Sequence, residues 1–464
     1  MHSDPPRSLP PGSGSADART DLDTARRLIV DSCAGAPSAA RLVDILAEGG
    51  SSSVSGVFGS ALAALLAAAR ARLGRPILLV THGPREAEDA AADLETVAGE
   101  SVYLFPAWET LPGDRIEPHA DLLGDRFQLM AALSAGRSGA GVPPIVVAPS
   151  RAVSQRIALP ASFDGEMLRL FRGVRFPLED LVSRLGAGGY RRVEMVEEKG
   201  EYCVRGGIAD FFPPDGDYPL RVELWGDEIA TIRTFHSQTQ RTISDLSAAV
   251  LTPASELALL DRHRDALGTI FDYLPKDTIV ALLEPAATRT AFEDAASGDG
   301  AFLTLAEVDA ALAGRQVLRV SLLPAASASA ASPIALDFQS LEPYRALALK
   351  PELGGEWGDR IFIHLARWAE EGMRICIFCN TAGERQRLGE LLGERGIALP
   401  EGSAVAVGRL CAGFISPESR LAVVTDQELL ARYRVRRPRR RFKGSAPVRE
   451  FSELAVGDHV AHAG

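Results

Sequence analysis

The feature that most limits what this chain can fold into is an alternation of short, entirely apolar segments with helical ones. Ile77–Val80 and Ile145–Ala148 contain apolar side chains only, and helical segments are predicted at Ser60–Leu73, Arg85–Val97 and Leu122–Ala135. A strand without a polar side must be covered on both faces, which is typical of a parallel sheet between two layers of helices. The sequence therefore predicts an α/β fold.

Near Phe176 the pattern changes to one in which apolar and polar residues alternate. Two such runs flank Gly226-Asp227, a dipeptide that favours a two-residue hairpin loop. Helical and all-apolar signals return near residue 250, with a helix predicted at Glu256–Phe271 and a strand at Thr278–Leu283. The pattern predicts a parallel-sheet domain that is interrupted by an antiparallel α+β insert and followed by a second small α/β domain.

The predicted boundaries follow from these changes of pattern and from local composition. They are a disordered Pro/Ser/Gly-rich tail at 1–24, the parallel-sheet domain at 25–165 and 250–340, the insert at 166–249, the small α/β domain at 345–432, a basic linker at 433–450 and a further segment at 451–464.

Strand parity divides the insert into an inner and an outer face, because successive side chains of a strand point to opposite sides. The predicted inner face contains Tyr202, Val204, Ile208, Tyr218, Leu220, Val222 and Leu224. Arg205, Arg221 and Trp225 then project outward. Trp and Arg are enriched where proteins contact partners, so this face is predicted to bind a partner protein.

Two alternatives remain open for the outer face of the insert. A neighbouring domain could cover Trp225, or the face could bind nucleic acid through base stacking and phosphate contacts. The second alternative is disfavoured by the acidic residues around it, which are Glu194, Glu197, Glu198 and Glu201. A net charge of −11 likewise argues against bulk nucleic-acid binding.

The segment Gly56–Ala63 resembles a phosphate loop that has lost its chemistry. Its loop residues are Gly56, Gly59 and Ser60, but Ala61 replaces the last glycine, Leu62 the lysine and Ala63 the hydroxyl residue. The lysine supplies charge to the phosphates and the hydroxyl holds Mg²⁺, so neither function survives here. The alternative is an ordinary helix start, which is the usual explanation of Gly and Ser before an Ala-rich helix.

A second position agrees with this interpretation. ATP-driven motors carry Asp-Glu at the end of a buried strand, where the pair holds Mg²⁺ and orients water. Here the strand Thr278–Leu283 ends in Glu284-Pro285, and Pro285 has no group that could activate water. The alternative is an ordinary strand end.

The run Arg434–Lys443 is the one strongly basic stretch of the sequence. Its central arginines are Arg436, Arg437, Arg439, Arg440 and Arg441. We interpret the run as a solvated linker, with contact to DNA or to a polymerase as the alternative.

The five cysteines are scattered, which fits a reducing cytoplasm. Cys376 and Cys379 have C-x-x-C spacing but lie in an apolar run, so we predict a buried strand rather than a metal or redox site. No apolar run reaches the ~18 residues that a membrane span needs.

Five segments of the insert carry a family resemblance. Gly189–Val193, Gly200–Gly207, Asp210–Pro213 and Leu220–Ile229, together with Ser237–Thr242, resemble the second domain of the bacterial transcription-repair coupling factors, the Mfd family. Three segments outside the insert are similar to other domains of that family, and they follow one another in the order that those domains have in the family. They are Pro106–Pro112 with Pro118-His119, Leu421–Leu430 and Leu454–His462.

The resemblance implies a role in nucleotide-excision repair. It implies a helicase-like first domain that is similar to the damage-loading protein UvrB and has degenerate nucleotide motifs. It also implies that the insert recruits UvrA to RNA polymerase stalled at a DNA lesion. By position, the UvrA-contacting residues are Arg205, Arg221 and Trp225.

The resemblance also implies which activities lie elsewhere. The ATP- and Mg²⁺-dependent translocase motor of the family would lie beyond residue 464, as would most of the contacts to RNA polymerase and duplex DNA, with 451–464 as the start of the polymerase-interacting domain. We therefore expect this fragment to be non-catalytic and to hold no cofactor. The alternatives are an active ATP-dependent DNA helicase and a DNA-binding module.

Overall fold

Helices and strands alternate along most of the chain. The computed structural model describes residues 14–109, 116–137, 144–296, 300–323, 333–343 and 357–430. The helices in these ranges are α1 (Gly14–Gly35), α2 (Pro37–Ala47), α3 (Ala61–Leu73), α4 (Pro84–Ala98), α5 (Ala120–Arg137), α6 (Ser150–Ser154), α7 (Pro160–Glu166), α8 (Leu178–Ala187), α9 (Glu256–Arg262), α10 (Ile270–Tyr273), α11 (Pro285–Ala296), α12 (Leu305–Ala313), α13 (Trp357–Glu370), α14 (Ala382–Glu394) and α15 (Asp426–Leu430).

The strands of the same ranges form three larger sheets and two short pairs. They are β1 (Ser52–Ser55), β2 (Ile77–Thr81), β3 (Val102–Leu104), β4 (Ile145–Pro149), β5 (Ile157–Ala158), β6 (Leu168–Phe171), β7 (Arg191–Arg192), β8 (Glu201–Arg205), β9 (Ile208–Phe211), β10 (Leu220–Trp225), β11 (Glu228–Phe235), β12 (Thr242–Leu246), β13 (Ala248–Leu251), β14 (Leu267–Gly268), β15 (Ile279–Leu283), β16 (Gln316–Ser321), β17 (Ile334–Ala335), β18 (Gln339–Ser340), β19 (Arg374–Cys379), β20 (Ala404–Val407), β21 (Phe414–Ser416) and β22 (Leu421–Thr425).

The first large sheet has the order β17-β1-β16-β15-β2-β4-β3, and all of its pairs are parallel. Along β2, Ile77 and Leu79 pack toward helices α1 to α4, whereas Leu78 and Val80 pack toward the layer that contains α5, α6 and α11. The central strands β2, β4 and β15 therefore have two apolar faces because both sides of the sheet are covered. The α/β fold predicted from the all-apolar segments is confirmed.

Strands from both sides of the insert build this one sheet. β1 to β4 precede the insert and β15 to β17 follow it, yet β15 pairs directly with β2. The inserted strands β7 to β12 form a separate sheet of order β12-β11-β10-β9-β8-β7, in which all pairs are antiparallel except β7 with β8.

The third large sheet has the order β18-β21-β22-β19-β20. Cys376 and Cys379 lie on its strand β19, where both are buried, so the predicted buried strand is confirmed. Cys376 faces the core shared with α1 and α3, and Cys379 faces α13 and α14. Burial raises the pKa of the Cys379 thiol to about 12. The two thiols point to opposite sides of the sheet and cannot bind one ion together.

Two local predictions are wrong. Residues 14–24 belong to helix α1 rather than to a disordered tail; Leu22 packs against the first core and Asp21 pairs with Arg385. The helix predicted at Glu256–Phe271 is divided into α9 and α10, because Leu267-Gly268 pairs with Ile157-Ala158 as a short ladder and Thr269 then begins a new helix with a capping box.

None of the helices in the described ranges is long and apolar enough to cross a membrane. The basic run with Arg436, Arg437, Arg439, Arg440 and Arg441, like the segment 451–464, lies outside the described residues.

Candidate docking face and closed phosphate loop

The outer face of the inserted sheet carries all three residues that the sequence predicted to bind a partner. Arg221 and Trp225 lie on β10 with the same parity, and the β8–β9 register places Arg205 on that side too. Trp225 is 86% exposed, the largest exposure among the large apolar residues described. We call the surface formed by Arg205, Ile208, Arg221 and Trp225 the docking face.

Two assignments within the insert are corrected by this register. Ile208 pairs with Arg205 across the two-residue turn Gly206-Gly207, so it lies on the docking face and not with Tyr202. Tyr218 precedes β10 and is 39% exposed, so it does not line the core as predicted. Strand parity cannot be counted through a turn, because directly paired residues lie on the same side whatever their spacing in sequence.

Asp210 lies between the two arginines and binds both. Its Oδ1 accepts a bond from Arg221 Nε at 2.7 Å, and its Oδ2 accepts bonds from Arg221 Nη2 at 2.8 Å and from Arg205 Nη2 at 3.2 Å. The carboxylate is 1% exposed, whereas the side chains of Arg205 and Arg221 are 54% and 20% exposed. A buried carboxylate thus holds two guanidinium groups of different accessibility.

Arg221 is held by two further groups. Its guanidinium lies 4.5 Å from the centre of the Phe235 ring, and its Nη2 donates to Gln240 Oε1 at 2.9 Å. Gln240 has a φ of 57°, and its Nε2 donates to Ser237 O at 2.7 Å. The sequence segment Ser237–Thr242 thus forms the turn that brings this amide to Arg221.

The acidic residues near the docking face include one with a structural function. Glu201 is buried, and its carboxylate accepts bonds from the backbone N–H groups of Glu197 and Glu198 at 2.9 Å each and pairs with Arg191 at 2.5 Å. Its charge is therefore satisfied within the turn before β8.

The predicted phosphate loop has the expected order of strand, loop and helix. β1 leads through Gly56–Ser60 into α3, and both Gly56 and Gly59 have positive φ, at 78° and 55°. Another part of the chain lies against this loop, however. A Cβ at Gly59 would lie 2.6 Å from Gly413 O, and one at Gly56 would lie 2.3 Å from Leu336 O.

The segment before β21 closes the loop through hydrogen bonds. Ser60 N donates to Ala412 O at 3.0 Å, so a backbone carbonyl takes up a donor at the start of α3. Asp93 connects the loop with the segment before β21. Its Oδ2 accepts a bond from Ser60 Oγ at 2.7 Å, and its Oδ1 accepts one from Cys411 N at 2.7 Å. Burial raises the pKa of Asp93 to about 7 despite these bonds. Leu62 and Ala63 follow as buried residues of α3.

Glu284 and Pro285 lie where strand β15 ends and α11 begins. Glu284 has a φ of 49°, and its Oε1 accepts a bond from the backbone N–H of Leu322 at 2.5 Å. Pro285 is the first residue of α11. The Glu284 carboxylate therefore fixes the chain that follows β16.

Two buried carboxylates of these sites were missed by the sequence reasoning. Asp210 could have been noticed as a charged residue between the apolar Ala209 and Phe211. Asp93 lies 318 residues from its partner Cys411, and no local signal connects them.

Comparison with known proteins finds similarity over the insert and, more weakly, over most of the chain. Residues 168–257, which include the whole docking face, match the family described as the UvrB interaction domain. The transcription-repair-coupling factor of Mycobacterium bovis is 41% identical over 189 residues, which are 40% of this chain and 15% of that protein.

Two other relatives match far more of the chain. The transcription-repair-coupling factor of Myxococcus xanthus is 27% identical over 91% of this chain and 42% of its own length, and that of Escherichia coli is 25% identical over 87% and 40%. The chain thus spans about two fifths of the length of these relatives. It contains a UvrB interaction domain and is similar along most of its length to the transcription-repair-coupling factors, so the family resemblance in its sequence is confirmed.

Proposed function

We propose that the docking face binds the nucleotide-excision-repair protein UvrA, and that the chain serves as a recruitment module in transcription-coupled repair. One observation carries the proposal. Within the segment matched by the UvrB interaction domain, an indole that is 86% exposed lies on the same side of one sheet as two arginines.

The chemistry of the face suits a protein partner. Trp225 offers a large apolar area that is costly to leave in water, and partner contact would remove it from solvent. Arg205 offers N–H donors for carboxylates or carbonyls beside this area. Truncation of such a residue at the centre of an interface costs about 2 kcal/mol or more.

The test is the affinity of the purified chain for UvrA after Arg205→Ala, Arg221→Ala and Trp225→Ala. We expect each change to weaken binding by at least about tenfold. Arg169→Ala and Val250→Ala serve as controls, because both residues are exposed on the β6–β13 pair of the same matched segment. Unchanged affinity in all three face variants would reject the proposal.

We further propose that the chain does not hydrolyse ATP. The lysine and hydroxyl of a phosphate loop are replaced by Leu62 and Ala63, and Ala412 and Gly413 pack against the loop itself. Turnover by the purified chain with ATP and Mg²⁺ that Ser60→Ala abolishes would contradict this. In this proposal the contacts with RNA polymerase and duplex DNA belong to sequence outside the described residues.

A further inference from the structure

We infer that Asp210 is a positioning residue of the docking face, which fixes Arg205 in the orientation that meets the partner, and that Gln240 supports it through Arg221. The inference rests on the proposed function of this face. It assigns different roles to two arginines that the sequence treats as equivalent.

The environment of Asp210 explains why the arginines are held so firmly. A carboxylate that is 1% exposed is unfavourable unless it is paired and hydrogen-bonded. Asp210 meets that condition through three N–H···O bonds from two guanidinium groups. Moving either arginine away would leave the buried charge with fewer donors, so the carboxylate restrains both side chains.

The two arginines differ in what they can offer to a partner. Arg221 uses Nε and Nη2 for Asp210 and Gln240, stacks on Phe235 and is only 20% exposed. Arg205 uses only Nη2 for Asp210 and is 54% exposed. We therefore assign partner contact to Arg205 and Trp225, and support to Arg221.

Restraint of Arg205 before binding has a direct thermodynamic effect. A free arginine side chain loses rotamer entropy when an interface orders it, and an arginine that is already ordered loses less. The group that Arg205 meets must be an oxygen acceptor, because a guanidinium has donors only. A carboxylate of the partner, beside an apolar surface that covers Trp225 and Ile208, fits this face.

A double-mutant cycle tests the positioning role. Asp210→Asn keeps the side-chain size but places an amide donor against the arginines, and we expect it to weaken UvrA binding about tenfold. In the Arg205→Ala background the same change should have an effect of about twofold or less, since the residue through which Asp210 acts is gone. Asp245→Asn is the matched control, because Asp245 pairs with Arg233 on the same sheet and is 70% exposed.

The outcomes separate this inference from the proposed function. Suppose that Arg205→Ala and Trp225→Ala lose binding, and that Asp210→Asn weakens binding equally in the unsubstituted chain and in the Arg205→Ala background. This result would overturn the positioning role of Asp210, but the proposal that the docking face binds UvrA would stand. No loss in Arg205→Ala and Trp225→Ala would reject the face itself.

A second variant covers the case in which Asp210→Asn does not fold. Gln240→Ala removes the outer support of Arg221 together with the bond from Gln240 Nε2 to Ser237 O. We expect a loss of UvrA affinity of about threefold that also disappears in the Arg205→Ala background. An additive effect of Gln240→Ala would contradict the inference.

Discussion

At the scale of single residues, two buried aspartates perform different tasks. Asp210 is compensated by two arginines and organises an exposed face. Asp93 receives bonds from neutral groups, Ser60 Oγ and Cys411 N, and burial raises its pKa to about 7 although these bonds lower it. The presence or absence of a positive partner separates the two. Nothing near Asp93 in the sequence reveals its environment, because its partners Ser60 and Cys411 lie 33 and 318 residues away.

The raised pKa of Asp93 leads to a pH-dependent stability. The folded state keeps the proton over a range in which the unfolded chain has lost it, so this carboxyl lowers the free energy of unfolding as pH rises from 3.8 to about 7. Asp93→Asn removes the titration, and its amide can still accept from Cys411 N and donate to Ser60 Oγ.

Chemical unfolding at two pH values tests this prediction. We expect Asp93→Asn to gain on the order of 2 kcal/mol relative to the unsubstituted chain between about pH 5 and about pH 8. Asp31→Asn, on the exposed side of α1, is the control and should show no such trend. Parallel pH profiles for the unsubstituted chain and Asp93→Asn would show that the carboxyl is not buried in solution.

At the scale of elements, the sequence predicts those whose pattern is local. Strands β2, β4 and β15 form as expected, because a strand that is buried on both faces appears in the sequence as a continuous apolar run. The hairpin at Gly226-Asp227 also forms as expected, because a two-residue turn favours particular residue types. The division of α9 from α10 was missed, since it depends on pairing of β14 with β5. The face of Ile208 was missed because its parity was counted through a turn.

The closed phosphate loop gives a prediction at this scale. Gly59 and Gly74, at the two ends of α3, both have positive φ, but only at Gly59 would a Cβ meet another part of the chain, at 2.6 Å from Gly413 O. Gly74→Ala should cost about 1–2 kcal/mol of unfolding free energy for its backbone conformation alone. Gly59→Ala should cost a further ~1–3 kcal/mol from crowding.

Denaturant unfolding of the two glycine variants gives the comparison. Equal losses would mean that the loop is not packed against residues 412–413 in solution, and the proposal that this segment closes the loop would then lose its support. A larger loss in Gly59→Ala would support it.

At the scale of the whole molecule, strands from before and after the insert must meet in the same seven-stranded parallel sheet. A buried ion pair joins the segments on the two sides of that insert. Glu256 on α9 accepts bonds from Arg126 Nε and Nη2 at 2.8 and 2.7 Å and from Trp108 Nε1 at 2.8 Å, and both charged side chains are 0% exposed. Trp108 belongs to the segment Pro106–Pro112, which resembles the same family. That motif therefore has a structural explanation in this contact.

The Arg126–Glu256 pair should be required for stability, although a buried ion pair does not always stabilise a fold more than apolar residues in its place would. Replacing both partners with apolar residues can be neutral, but removing one leaves the other charge buried and uncompensated. Glu256→Gln should therefore lower the free energy of unfolding by about 3–5 kcal/mol. The control is Asp309→Asn, because the pair of Asp309 with Arg289 is about half exposed and should contribute less than about 1 kcal/mol. A loss of similar size in both variants would mean that Arg126 is reached by water. The connection between the two halves of the parallel-sheet domain would then depend on other contacts, among them the β1–β16 and β2–β15 ladders.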